Sequence, residues 1–302
     1  MTNTFIRTFR AAALVVATGL LPACATAEET AAIPPAPGPA TDVKLSAVIA
    51  EGAKPMRDQI FWVVARDYGG QREVVATQTG ATPKLALQPG RYVVTAKYGD
   101  TEVSEEIAIG GDAAHHVVNL NAGVISLRLV PNAGAPAVSD NVTWEIYEYS
   151  KARKEDRKQI TVVQAPQHEF VLPAGYYIVR ASYNDTVSEL VVPVEAGHTY
   201  KYTVNLYAGN VGLSALGLNG QALEEPVAWE IVRATPNAHG ELETVTADVA
   251  PSRTFLLREG SYIVRARTGN LVGESTFEVR AGTTKKVKVR MKPADMQTVA
   301  GG

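Results

Sequence analysis

The stretch Leu87-Gln-Pro-Gly-Arg-Tyr92-Val-Val-Thr-Ala96 decides the fold, because the chain writes it three times. It returns as Leu172-Pro-Ala-Gly-Tyr-Tyr177-Ile-Val-Arg-Ala181 and as Leu257-Arg-Glu-Gly-Ser-Tyr262-Ile-Val-Arg-Ala266. The tyrosines stand at 92, 177 and 262, two intervals of 85 residues, and self-similarity at that period marks an array of like units. Inside each copy Tyr, Val and Ala recur at every second position, as on the buried face of a strand.

Working outward, each copy shows the same succession of short strands. An opening strand (44–50 in the first copy) precedes Ile60/Trp62/Val64, Val142/Trp144/Ile146 and Val227/Trp229/Ile231, again at period two. Three equivalent tryptophans on an alternating face read as core. A more variable strand follows (73–79, 158–164), then a short one carrying Leu85/Leu87, Phe170/Leu172 and Phe255/Leu257, ended by Gly90, Gly175 and Gly260. After the repeated phrase, Gly99-Asp100, Asn184-Asp185 and Gly269-Asn270 predict tight two-residue hairpins. Their partners are 102–109, 187–195 and 272–280, and a last strand closes each copy. About seven strands in each copy, with no amphipathic helix, predict an all-β chain of β-sandwiches, since a single sheet leaves one apolar face wet.

The pattern of Leu, Gly, Tyr, Val and Ala followed by a Gly/Asn turn resembles prealbumin-like sandwiches, among them carboxypeptidase regulatory domains and Cna B-type, Ig-like repeats of bacterial surface proteins. The resemblance covers about 44–292, three times over. It implies non-catalytic spacers, stalks or binding modules. Some members carry Lys–Asn crosslinks, and in the first copy Lys44 and Asn119 would take those roles.

The expected organisation is a signal peptide (1–27), a Pro-rich linker (28–42), sandwiches at 43–121, 124–208 and 211–292, and a flexible tail (293–302). Ala122-Gly123 and Ala208-Gly209 read as short joints, which predicts a stiff, elongated array. Arg7 and Arg10 precede an uncharged apolar run (11–21) and then small residues, the layout of an export signal. Leu21-Pro-Ala-Cys24 resembles a bacterial lipobox, which makes Cys24, the single cysteine, a lipidation site. Ordinary cleavage after Ala27, giving a soluble secreted protein, is the other reading. In the lipoprotein resemblance, Ala25 rather than Asp after the cysteine implies the outer membrane. Ile33-Pro-Pro-Ala-Pro-Gly-Pro-Ala40 favours an extended tether of about 3.1 Å per residue.

A net charge of −2 gives no global field for nucleic acid, and none is expected as a partner. One cysteine excludes a disulfide framework and any multi-cysteine metal site. The sequence holds no GxSxG, HExxH, P-loop or GxGxxG, so neither an enzyme nor a cofactor is expected. His115 and His116 are neighbours in a strand and point to opposite faces, as do Glu105 and Glu106.

Eight of the 12 tyrosines fall in the middle copy. Alternation turns Tyr177, Tyr183 and Tyr202 inward and Tyr147, Tyr149 and Tyr176 outward. The outward set, with Arg153 and Lys154 of the charged connection 151–158, is the candidate partner-binding surface. Lys286, Lys288, Arg290 and Lys292 alternate with Val287, Val289 and Met291, a pattern suited to a guarded edge strand, with polyanion binding as the other reading. The expected role is a non-enzymatic periplasmic or outer-membrane spacer, scaffold or protein-binding stalk, anchored by lipid at Cys24. The alternative is a carbohydrate- or peptidoglycan-binding module using the middle copy's tyrosines.

Overall fold

A computed structural model describes residues 38–140, 142–150 and 156–294. The signal segment with Cys24, most of the Pro-rich linker, Arg153, Lys154 and the tail after 294 lie outside the described residues.

The chain is all-β, with no α-helix among the described residues. The first sandwich comprises β1 (Thr41–Val48), β2 (Phe61–Asp67), β3 (Arg72–Thr79), β4 (Lys84–Leu87), β5 (Gly90–Tyr98), β6 (Thr101–Ile109) and β7 (Ala114–Asn119). The second comprises β8 (Ala122–Val130), β9 (Val142–Glu148), β10 (Gln159–Ala165), β11 (Gln167–Pro173), β12 (Gly175–Tyr183), β13 (Thr186–Val194) and β14 (Thr199–Asn205). The third comprises β15 (Ala208–Leu216), β16 (Val227–Arg233), β17 (Thr244–Ala250), β18 (Ser252–Arg258), β19 (Gly260–Thr268), β20 (Leu271–Val279) and β21 (Thr284–Arg290), with a short β22 (Lys292–Pro293).

Each sandwich stacks a three-stranded sheet on a larger one. The three-stranded orders are β4-β1-β7, β11-β8-β14 and β18-β15-β21. The larger sheets run β3-β2-β5-β6, β10-β9-β12-β13 and β17-β16-β19-β20-β22. These are tandem β-sandwiches, as the repeated phrase led one to expect. In each, the first strand pairs in parallel with the last: β1 with β7, β8 with β14, β15 with β21.

The alternating positions meet between the sheets in three separate cores. Trp62, Trp144 and Trp229 are at most 1% exposed. Each removes roughly 200 Å² from water, about 5 kcal/mol of hydrophobic stabilisation at 25 cal/mol per Å². Their indole N–H groups donate to the carbonyls of Gly80, Ala165 and Ala250 at 2.8, 3.0 and 2.9 Å, so no buried donor is orphaned.

The repeated phrase is the corner at which the chain leaves one sheet for the other. Tyr92, Tyr177 and Tyr262 are buried, and each hydroxyl donates to the carbonyl four residues earlier, of Gln88, Pro173 and Arg258. All three bonds measure 2.7 Å. The phenol thus staples the strand it begins to the end of the strand before it, a tyrosine corner. The hairpins beyond it close with the pairs Tyr98↔Thr101, Tyr183↔Thr186 and Thr268↔Leu271, two-residue turns as predicted.

The joints differ from expectation. Ala122-Gly123 and Ala208-Gly209 open β8 and β15 instead of linking domains. A Cβ at Gly123 would fall 2.3 Å from the Glu195 carbonyl oxygen, and one at Gly209 would fall 2.4 Å from that of Arg280. Glycine is there so that backbones can touch. The turning residues are Asn121 (φ 46°) and Tyr207 (φ 50°). Their N–H groups donate to the side-chain oxygens of Asn119 (2.9 Å) and Asn205 (2.8 Å).

Each joint is also braced from the side. The β5–β6 tip reaches the next sandwich, where the Asp100 N–H (3.2 Å) and the Thr101 hydroxyl (3.0 Å) both donate to the Val171 carbonyl. At the second joint the Thr186 hydroxyl donates to the Leu256 carbonyl at 2.6 Å, and Thr246 donates to Asp185 at 3.0 Å. Val171 packs on the first core and Leu256 on the second. After the third sandwich Pro293 has no N–H to offer, and β22 folds onto β20 instead.

The crosslink implied by resemblance is not built. Asn119 pairs with Val48, four residues along β1 from Lys44, or about 13 Å at 3.3 Å per residue.

Candidate functional site

The candidate surface is the outward face of the middle sandwich. Tyr149 follows the end of β9, and its N–H donates to the Tyr176 carbonyl at 3.1 Å. That bond sets the two rings together, centroids 6.3 Å apart at 54°, with 50% and 65% of each residue exposed. The pair is a tilted aromatic ledge open to solvent.

Tyr147 does not join it. Its hydroxyl donates to the Glu145 carboxylate at 2.8 Å, and the residue is half-buried. Burial, reinforced by that carboxylate, pushes its phenol up from the ordinary value. Around it runs a charged network: Arg180 lies 3.4 Å from Glu145 and 3.8 Å from Glu189, and Arg157 donates to Glu189 at 3.3 Å. The connection's described end is tied down too, with Lys158 on Glu148 at 2.6 Å. Arg153 and Lys154 lie outside the described residues.

Tyr177, Tyr183 and Tyr202 turn inward, as alternation predicts. Tyr177 is buried, while Tyr183 and Tyr202 are half-buried against the second core. Tyr200 shares the inner face with Tyr202, their rings stacked 6.1 Å apart.

A cleft of about 450 Å³, missed by sequence reasoning, opens where the second sandwich meets the third. Arg180, Val187 and Glu189 line one side, with Arg233, Arg258 and Tyr262 on the other. Arg233 lies over the Tyr262 ring (5.9 Å) and pairs with Glu243 (3.3 Å). Opposite charges balance within it, so it carries no strong field.

Among the described residues, the histidine and glutamate neighbours do not assemble a reactive constellation. His115 meets the Ser46 hydroxyl and His116 the Glu105 carboxylate, both at 2.8 Å, on opposite faces of β7. Glu106 turns the other way, to Arg72. Among the described residues no group of three His, Cys, Asp or Glu could hold a metal ion. No helix among them is long and apolar enough to cross a membrane.

No family model matches the sequence, and no curated protein matches it. Solved structures do align. The Bacillus anthracis TIE protein is 16% identical over 84% of this chain, with a TM-score of 0.25, and this chain spans about half (51%) of its length. A streptococcal ancillary pilin is 11% identical over 84% of this chain and 99% of its own, with a TM-score of 0.32. GBS52, the minor pilin of Streptococcus agalactiae, is 12% identical over 60% of this chain and 100% of its own, with a TM-score of 0.33. At such scores the fold rests on the sheets described above.

Proposed function

We propose that this chain is an exported, non-enzymatic scaffold of a bacterial envelope, tethered by lipid at Cys24 and acting as a protein-binding stalk. The observation that carries the reading is the doubly braced joint. Each sandwich is held to the next by the chain and by a hairpin tip whose hydroxyl is bonded across the boundary, at Thr101–Val171 and Thr186–Leu256. An enzyme gains nothing from repeating that brace, whereas a spacer depends on it. The partner surface assigned here is the Tyr149–Tyr176 ledge, large amphipathic rings of the kind that anchor interfaces.

The second reading, a glycan-binding module, draws on the same ledge, since exposed rings also stack on sugars. One experiment separates the two. The immobilised full chain should retain one solubilised envelope protein, and Tyr149→Ala with Tyr176→Ala should release it. Sedimentation with peptidoglycan that is lost in the double variant, without a retained protein, selects the glycan reading. Retention unchanged in the double variant removes the ledge from both.

A further inference from the structure

We propose that the outward face of the third sandwich's three-stranded sheet binds a linear acidic polysaccharide. The outward positions of β15, β18 and β21 carry four basic residues, Arg258, Lys286, Lys288 and Arg290, and no acid, in a chain of net charge −2. On β21 the side chains of Lys286, Lys288 and Arg290 are exposed at every second position, while Val287 and Val289 are buried beneath them. The cations therefore form a row with a step of about 7 Å.

Among the described residues none of these three forms an ion pair. Arg253, at the rim of the same sheet, is held by Asp248 at 2.9 Å. Beside the row runs a groove of about 270 Å³. Gly212, Ser214, Ser252 and Thr254 line it, offering hydroxyls and bare backbone. Cations in a line along a shallow hydroxyl-bearing groove fit an extended chain of carboxylates and hydroxyls.

Edge protection does not account for the row. β21 ends its sheet, but β7 and β14 hold the same edge in the sister copies. β7 has no lysine or arginine, and β14 has Lys201 alone. A membrane surface fits less well, because no large hydrophobic side chain on β15, β18 or β21 is exposed for insertion among headgroups.

The test uses the purified full chain and polygalacturonate, followed by affinity electrophoresis between about 50 and about 300 mM salt. The chain should bind at low salt, and K286Q/K288Q/R290Q should weaken binding by about tenfold or more, with a flatter salt dependence. An unchanged melting temperature shows that the variant still folds, and Y149A/Y176A should bind like the parent. The proposal is overturned by an absence of binding, by parental affinity in the triple variant, or by equal binding to neutral dextran. Binding to phosphatidylglycerol vesicles without binding to polygalacturonate overturns it in favour of a membrane surface.

Discussion

Tyr262→Phe isolates the hydroxyl of the repeated corner. The phenol is fully buried and donates to the Arg258 carbonyl at 2.7 Å. The substitution keeps the ring, its stack on Phe277 at 5.7 Å and the guanidinium of Arg233 above it. What is lost is one buried hydrogen bond, about 1 kcal/mol net, plus part of the cost of leaving a carbonyl unpaired. A total of about 1.5 kcal/mol in a domain of this size lowers its melting midpoint by roughly 6–12 °C. Trp229 lies in the same core and reports that domain alone when Trp62 and Trp144 are replaced by Phe. Tyr92→Phe and Tyr177→Phe, read by Trp62 and Trp144, should cost about the same, because their bonds have the same length. Tyr262→Ala, which also opens a cavity, should cost about 3–5 kcal/mol. A Tyr262→Phe midpoint within about 1 °C of the parent would refute the staple and leave the tyrosine as mere filler.

Alkali should act on the same group. Burial holds the Tyr262 phenol above its usual value of 10.0, against the opposing pull of Arg233 and Arg258. The unfolded chain then releases that proton first, so the contribution is intact below pH 10 and is lost as pH rises through the folded value. Tyr262→Phe should flatten the alkaline limb of third-sandwich stability; an unchanged limb assigns it to other groups. Thr186→Val removes the 2.6 Å bond to Leu256 and should weaken the second joint by about 1–2 kcal/mol. Its signature is separation of the second and third unfolding transitions in calorimetry, and a single merged transition would argue against the brace. Cys24→Ser should move the protein from the membrane fraction to the soluble one, and unchanged partitioning would exclude the lipid anchor.

Much of the fold was legible because burial in a sandwich follows period two. Trp144 and Tyr177 announce their inward face from the residues two places away, and Gly99-Asp100 or Asn184-Asp185 can do little but turn. The joints were not legible, because Gly123 and Gly209 look like linkers until the neighbouring carbonyls are in place. One signal was available. The outward position held by Ala86 in the first copy becomes Val171 and Leu256 in the copies that follow a neighbour. An apolar gain confined to those copies is what a side-on contact requires. Tyr147 was read as outward by alternation, and the half-burial came from Glu145, two residues along on the same face. The cleft beside it is set by two copies together, which no single repeat encodes.

The parallel pairing of first and last strands has a mechanical consequence. In the middle sandwich the chain enters at the start of β8 and leaves from the end of β14, with seven residues of each in register. Tension applied through the joints pulls these adjacent strands along their length in opposite senses. The load therefore falls on the whole ladder in shear, with many hydrogen bonds strained at once. A hairpin pulled open from its ends would yield one bond after another. Each copy is wired to bear traction, and the braces at Val171 and Leu256 keep the pull aligned with the strands that carry it.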